Sequence, residues 1–228
     1  MRFIGGAFFV QPATTSRTTY KLDKTFLTAA VVWLVAVVVG FTVLWRYKTR
    51  TGPDDERPPL DWPKQTRISR AADRATLVVF AHPGCACTRA TIAELARLMP
   101  LVRDKVAAQV VVVRPEGLAE NPEDSDLWTR AASIPGVSVS RDEGGRDAAL
   151  FRAMTSGLVV IYDAAGRRLF SGGITPARAH EGDSFGRRRI LSILSGERAD
   201  RDTSPVFGCA LGTHEMGPQD ARVVREEQ

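Results

Sequence analysis

One stretch of the chain has no polar rhythm at all. From Phe26 to Trp45, FLTAAVVWLVAVVVGFTVLW runs for twenty residues without a charge, the length a helix needs to cross a bilayer. Trp45 and Tyr47 close it with aromatics suited to a membrane interface, and Arg46, Lys48 and Arg50 follow within reach of headgroups. A signal peptide would have a shorter apolar core followed by a small-residue cleavage motif, and neither is found. The pattern predicts a single-pass membrane protein whose partner is the lipid bilayer.

Residues 1–25 are polar and irregular. Residues 46–66, which include TGPDDERPPLDWPKQT, are rich in proline and charge and read as a linker. Beyond them two hydrophobic periods alternate. ATLVVFA (75–81) and AQVVVV (108–113) are short, continuous apolar runs, as expected of strands buried on both faces. Between them TIAELARLMPLV puts Ile92, Leu95, Ala96, Leu98 and Met99 on one helical stripe. Thr91 and Glu94 have the spacing of a capping box, with Thr88 a second N-cap candidate.

An acidic loop, PEGLAENPEDSD, leads to a short helix around Leu127, Trp128 and Ala131. A third strand follows near Val137 to Val139, then a helix through RDAALFRAM. LVVIY, a turn at Asp163 to Gly166, and RRLFSGG make a hairpin. The last helix, DSFGRRRILSIL, buries Ile190, Ile193 and Leu194 and presents Arg187 to Arg189 on its solvated face. The order β-α-β-α-β-α-β-β-α predicts an α/β layered domain over residues 67–200, a mixed sheet ending in a β-hairpin with helices on both faces. A tail, 201–228, carries Cys209.

Charge changes the picture of partners. The pI near 9.4 suggests nucleic acid, but the basic residues are concentrated at the start. Residues 1–52 hold seven lysines and arginines against one aspartate, a net of +6; the whole chain is +5, so residues 53–228 carry −1. Nucleic-acid binding loses its support. The same charges leave the topology of the membrane helix nearly balanced, with four positive residues before it and three after.

The candidate chemistry lies in HPGCACTRA, residues 82–90, where two of only three cysteines stand one residue apart. A cysteine where a buried strand hands over to a helix meets unpaired amides and the positive end of the helix dipole, which favour thiolate. Pro83 and Gly84 support an irregular turn that leaves Cys85 exposed. Within a regular helix, residues i and i+2 have α-carbons roughly 5.4 Å apart, but their side chains leave the axis about 200° apart. Cys85 and Cys87 therefore close into a disulfide only if Cys85 precedes the helix, as a start at Thr88 or Thr91 allows. Such a small, strained ring would be easily reduced.

HPGCACT between strand and helix, the later IPGV and the late hairpin resemble the thioredoxin-like superfamily, especially its membrane-anchored, thiol-handling members. The likeness spans about residues 75–196. It implies that Cys85 is the nucleophile of a thiol–disulfide oxidoreductase acting on protein thiols or disulfides. Two departures stand out. The usual second cysteine, three residues on, is Thr88 here, with Cys87 one residue early. The usual cis-proline before the hairpin is replaced by Thr155, Ser156 and Gly157, which would leave more open space beside the sulfurs.

Cys209, in the tail TSPVFGCALGTHEMG, is then a resolving thiol alternative to Cys87, an intermolecular partner or a metal ligand. Of the histidines, His82 is placed to lower the pKa of Cys85 by its charge, and the Gly-rich SGGITPARAHEGD reads as a loop bringing Arg178 or His180 toward the site. His214 follows Cys209 by five residues. No cofactor is required. The alternative is a copper- or zinc-handling protein using Cys85, Cys87, Cys209 and His180, or a scaffold with inert cysteines. Disulfide chemistry favours a domain on the periplasmic, extracytoplasmic side.

Overall fold

The structure is a computed structural model describing residues 23–52, 57–114, 121–197 and 202–211. The chain divides into two units, Met1–Leu44 and Trp45–Gln228. Helix α1 (Lys24–Thr49) has no buried residue, and its most apolar stretch has a mean hydropathy of 2.6. Its 26 residues rise about 1.5 Å each, some 39 Å in all. By length and composition it is able to span a membrane.

The second unit holds β1 (Ala75–Ala81), α2 (Ala86–Val102), β2 (Val106–Arg114), a single 3-10 turn (Pro122–Asp124) and α3 (Asp126–Ala132). It continues through β3 (Val137–Glu143), α4 (Arg146–Leu150), β4 (Val159–Tyr162), β5 (Arg168–Gly172) and α5 (Phe185–Leu194). This is the expected order. The five strands lie as β3-β2-β1-β4-β5. β1 and β2 pair in parallel, Ala75 opposite Val106, and β2 and β3 likewise, while β4 runs antiparallel to both β1 and β5.

The continuous apolar runs exist because the sheet is covered twice. Leu77, Val79 and Ala81 of β1 face one core with Leu95 and Leu98 of α2, Leu127 of α3 and Ile190 of α5. Val78 and Phe80 face the other, with Val111, Val160, Tyr162 and Phe151. Each of these larger aliphatic or aromatic side chains contributes about 1.5–3 kcal/mol on burial.

Residues 58–62, in the segment read as linker, lie along the hairpin. Tyr162 donates its hydroxyl to the Pro59 carbonyl at 2.9 Å, and the Arg168 amide bonds the Leu60 carbonyl at 2.7 Å. Trp62 stands edge-on to Phe151 and Tyr162, centroids 5.2 and 5.1 Å away.

Three local expectations are corrected. Helix α2 begins at Ala86, so Thr91 caps nothing; its hydroxyl bonds back to the Cys87 carbonyl at 3.2 Å. Glu94, its carboxylate fully enclosed, takes Arg97 at 2.6 Å, Arg187 at 3.1 Å and the Gly182 amide at 2.7 Å. Arg187 is thereby drawn off the solvated face to tie α5 to α2. Helix α4 stops at Leu150 rather than near Met154, because Phe151 turns into the second core and packs on Phe80, centroids 5.3 Å apart.

Candidate functional site

β1 delivers the chain into a tight turn at His82–Gly84. The Cys85 amide bonds the His82 carbonyl at 3.2 Å, and the Gly84 amide bonds His82 Nδ1 at 3.2 Å. Cys85 itself keeps extended backbone angles, φ −89° and ψ 118°, and is the N-cap of α2. It therefore precedes the helix, while Cys87 is already inside it, as its second residue.

Cys85 is buried, only 1% exposed, which corrects the expectation of an open thiol. The cover is the segment 202–211, which returns over the domain as a strap. Its first half follows β5: the Ser171 amide bonds the Asp202 carbonyl at 2.9 Å and the Gly173 amide the Pro205 carbonyl at 3.2 Å. Its second half pairs with residues 154–156. The Ser156 amide bonds the Cys209 carbonyl and the Leu211 amide the Met154 carbonyl, both at 2.8 Å, with Thr155 and Ala210 in antiparallel register.

Two glycines permit this close approach. A Cβ on Gly208 would lie 1.8 Å from the Ser156 carbonyl oxygen, and one on Gly173 would lie 2.5 Å from that of Pro205. The tail sulfur is thereby set against that of Cys85. The Cys209 residue remains exposed, and all three cysteines are free thiols.

Residues 155–157 fill their position in another way than by open space. The Ser156 hydroxyl accepts the His82 amide at 2.8 Å and shares a short hydrogen bond with the Thr88 hydroxyl. Thr88 and Ser156 are both fully buried, so a hydroxyl pair stands beside Cys85. Ser156 is a site residue that sequence reasoning missed; the only signal was the departure at that place in the chain.

The three thiols are electrostatically unequal. Burial alone raises the pKa of Cys85, yet donors outweigh it. The Cys209 thiol, the Thr88 hydroxyl and amide and the Cys209 amide together hold it down from 9.0 to about 7. In the helix ladder the Thr88 amide bonds the Cys85 carbonyl at 3.1 Å, with no full cap bond to the side chain. Close to the same sulfur, it still favours the anion. Cys209 is pushed up to about 11, by burial, by donating to Cys85 and by repulsion from that anion. Cys87 is raised by burial and by Cys85, against the Ala179 amide and the Arg178 charge that favour its anion.

The loop after the hairpin does reach the site, through the Ala179 amide and the Arg178 charge. His180 does not join them: Nδ1 lies 2.8 Å from the Arg178 carbonyl and Nε2 3.3 Å from Lys48 Nζ. His82 is lowered by burial, so it is neutral at neutral pH and supplies no charge to Cys85. His214 lies outside the described residues. Among the described residues no three of His, Cys, Asp or Glu form a group able to hold one metal ion. The copper or zinc reading has no assembled ligand set here.

No family model matches the chain, and none of the curated proteins compared with it does. Solved structures are similar in fold. A hypothetical protein from Sinorhizobium meliloti 1021 is 17% identical with a TM-score of 0.56, covering 73% of this chain and 100% of its own. An uncharacterized conserved protein from Geobacillus kaustophilus is 18% identical with a TM-score of 0.53, covering 74% and 94%. A secreted disulfide oxidoreductase from Mycobacterium tuberculosis is 11% identical with a TM-score of 0.38, covering 54% and 81%. With parallel β1, β2 and β3, an antiparallel β4–β5 hairpin, and a cysteine capping the helix that follows the central strand, the second unit has a thioredoxin-like fold.

Proposed function

We propose that this chain is a membrane-anchored thiol–disulfide oxidoreductase whose redox pair is Cys85 and Cys209. The observation that carries the reading is the contact between these two sulfurs, made by a strap whose backbone is bonded on both sides of Cys209. Cys85 is the member of the pair that ionises first, at about pH 7, while Cys209 keeps its proton. Exchange converts the two thiols into one disulfide, with two electrons and two protons passing to a partner disulfide, which leaves as two thiols. The reverse oxidises a partner dithiol.

Cys209 is preferred to Cys87 as the second member because of the ring each would close. Cys87 also hydrogen-bonds Cys85, but it is fixed two residues on in the first turn of the helix that Cys85 caps, and so short a ring would be strained. Cys209 arrives on an independent segment, so its sulfur is free to meet Cys85 in line. The anchor would be α1, and an oxidising extracytoplasmic compartment suits a disulfide-forming site.

Three measurements test this. The full chain is equilibrated in glutathione redox buffers and its disulfides are mapped by mass spectrometry; a Cys85–Cys209 bond is expected. Its rate of exchange with a dithiol peptide or with insulin is then compared with that of Cys85→Ser. Equal rates for the two proteins overturn the proposal. A thiol label unable to cross the membrane, applied to intact cells, is expected to reach Cys209.

A further inference from the structure

The proposed exchange pair has an unusual division of exposure: Cys85, capping the helix, is enclosed, while Cys209, on the strap, is open to solvent. Exchange requires the attacking thiolate to approach the disulfide along its axis, behind the sulfur that it attacks, so access decides which sulfur is struck. Of the two residues only Cys209 reaches the surface, so the strap side is the more accessible one. On the Cys85 side the sulfur is enclosed, with the buried Thr88 and Ser156 hydroxyls beside it.

Resting on the proposed exchange reaction, we infer that Cys209 alone bonds covalently to the substrate, and that Cys85 reacts only with Cys209. Starting from the disulfide, a substrate thiolate attacks Cys209 Sγ. The Cys209–substrate bond forms, the Cys85–Cys209 bond breaks, and the electron pair leaves on Cys85 Sγ. A second thiol of the substrate, as thiolate, then attacks the substrate sulfur in that mixed disulfide. It leaves as an oxidised substrate disulfide, and the electron pair passes to Cys209 Sγ, which takes up a proton. The protein ends as a dithiol, two electrons richer, and is reoxidised by a second disulfide such as glutathione disulfide. Cys85 is thus the leaving group in one direction and, in the other, the nucleophile that releases substrate from Cys209.

The donors around Cys85 support the same direction. A leaving thiolate departs faster the better it is stabilised, and the Thr88 hydroxyl and amide wait beside Cys85 to receive that charge. The opposite reaction would begin with Cys209 attacking a substrate disulfide, and Cys209 is held protonated. The site is therefore built to oxidise thiols. Its substrate class is a dithiol on a flexible segment able to reach an exposed sulfur on the strap.

To test this, the full-length chain in detergent micelles is oxidised with glutathione disulfide, and the Cys85–Cys209 bond is confirmed by mass spectrometry. Reduced glutathione, a monothiol that completes the reaction only when a second molecule attacks the mixed disulfide, is added and the mixture is acid-quenched at early times. Glutathione on Cys209 is expected to exceed that on Cys85 by about tenfold or more, as leaving-group and access effects act together. Glutathione found mainly on Cys85 or Cys87 overturns the inference while leaving the exchange reaction intact. A chain that forms no Cys85–Cys209 bond overturns both.

Discussion

Thr88 is the residue on which the acidity of the site turns without itself undergoing redox chemistry. Its hydroxyl and its amide both favour the Cys85 anion. Thr88→Val deletes the hydroxyl while keeping the shape and the amide. A hydrogen bond to a charged group contributes about 1.5–3 kcal/mol, and one pKa unit corresponds to about 1.4 kcal/mol. At the low end of that range Cys85 rises by about one unit, from about 7 to about 8. At pH 7 its thiolate fraction then falls from about one half to about one tenth, roughly fivefold.

The assay is the ultraviolet thiolate absorbance of the reduced full chain against pH, read at the first of the thiol steps. Thr88→Ser restores the hydroxyl and is expected to return that step to about 7, a rescue that a purely steric role would not produce. The loss also leaves the Ser156 hydroxyl short of a partner, so a stability cost of about 1–3 kcal/mol accompanies it. A first step in Thr88→Val that coincides with the parent's refutes the reasoning.

The depressed pKa of Cys85 also links stability to pH. A thiol at about 7 when folded and 9.0 when unfolded contributes fully above pH 9 and loses its contribution as pH falls through 7. Relative to Cys85→Ala, the reduced protein is expected to gain about 2 kcal/mol between pH 7 and 9; denaturant melts check this, and a falling difference contradicts it. Above pH 9 the raised pKa of Cys209 acts with the opposite sign. Gly208→Val forces a side chain into the Ser156 carbonyl and lifts the strap. Disulfide formation with Cys85 should slow by about tenfold or more as the pair loses its alignment, and Cys85 should become open to alkylation; unchanged rates would show that the strap does not set the pair. Glu94→Gln removes the charge that α2 offers to Arg187 and Arg97. It is expected to cost about 3 kcal/mol, seen as a lower Tm, and a neutral result would deny the buried pairing its role.

The fold was legible because local pattern and global architecture agree. β1 was readable from its apolar run alone, since both faces of the central strand are covered. The hairpin was readable from its turn chemistry. Misreadings came where a long-range partner outweighed a local rule. Thr91 and Glu94 have capping-box spacing, but the carboxylate is claimed by Arg187, 93 positions away. The strap was illegible for the same reason. Its course depends on contacts between backbones, at Gly208 and Gly173, and backbone contact leaves no hydrophobic period to read. A Gly-rich tail and a Gly-rich loop each look irregular in isolation. Only together do they become two surfaces cut to fit.

Why, then, are two of three cysteines one residue apart at the start of α2? The helix boundary separates them chemically. As N-cap, Cys85 turns its sulfur toward the strap and gathers donors from Thr88 and Cys209. As the second residue of the helix, Cys87 meets the Ala179 amide and the Arg178 charge, but burial, repulsion from Cys85 and its hydrogen bond to that sulfur keep it a thiol. A negative charge on either sulfur disfavours the other, so at neutral pH the cluster holds its anion at Cys85 and suppresses a second. Cys87→Ala removes one thiol that hydrogen-bonds Cys85 but leaves the Thr88 and Cys209 donors that hold its pKa down, and it should leave the Cys85–Cys209 bond able to form. Loss of that bond in Cys87→Ala, with the fold intact by circular dichroism, would make Cys87 a working member of the redox pair and break the assignment of Cys209.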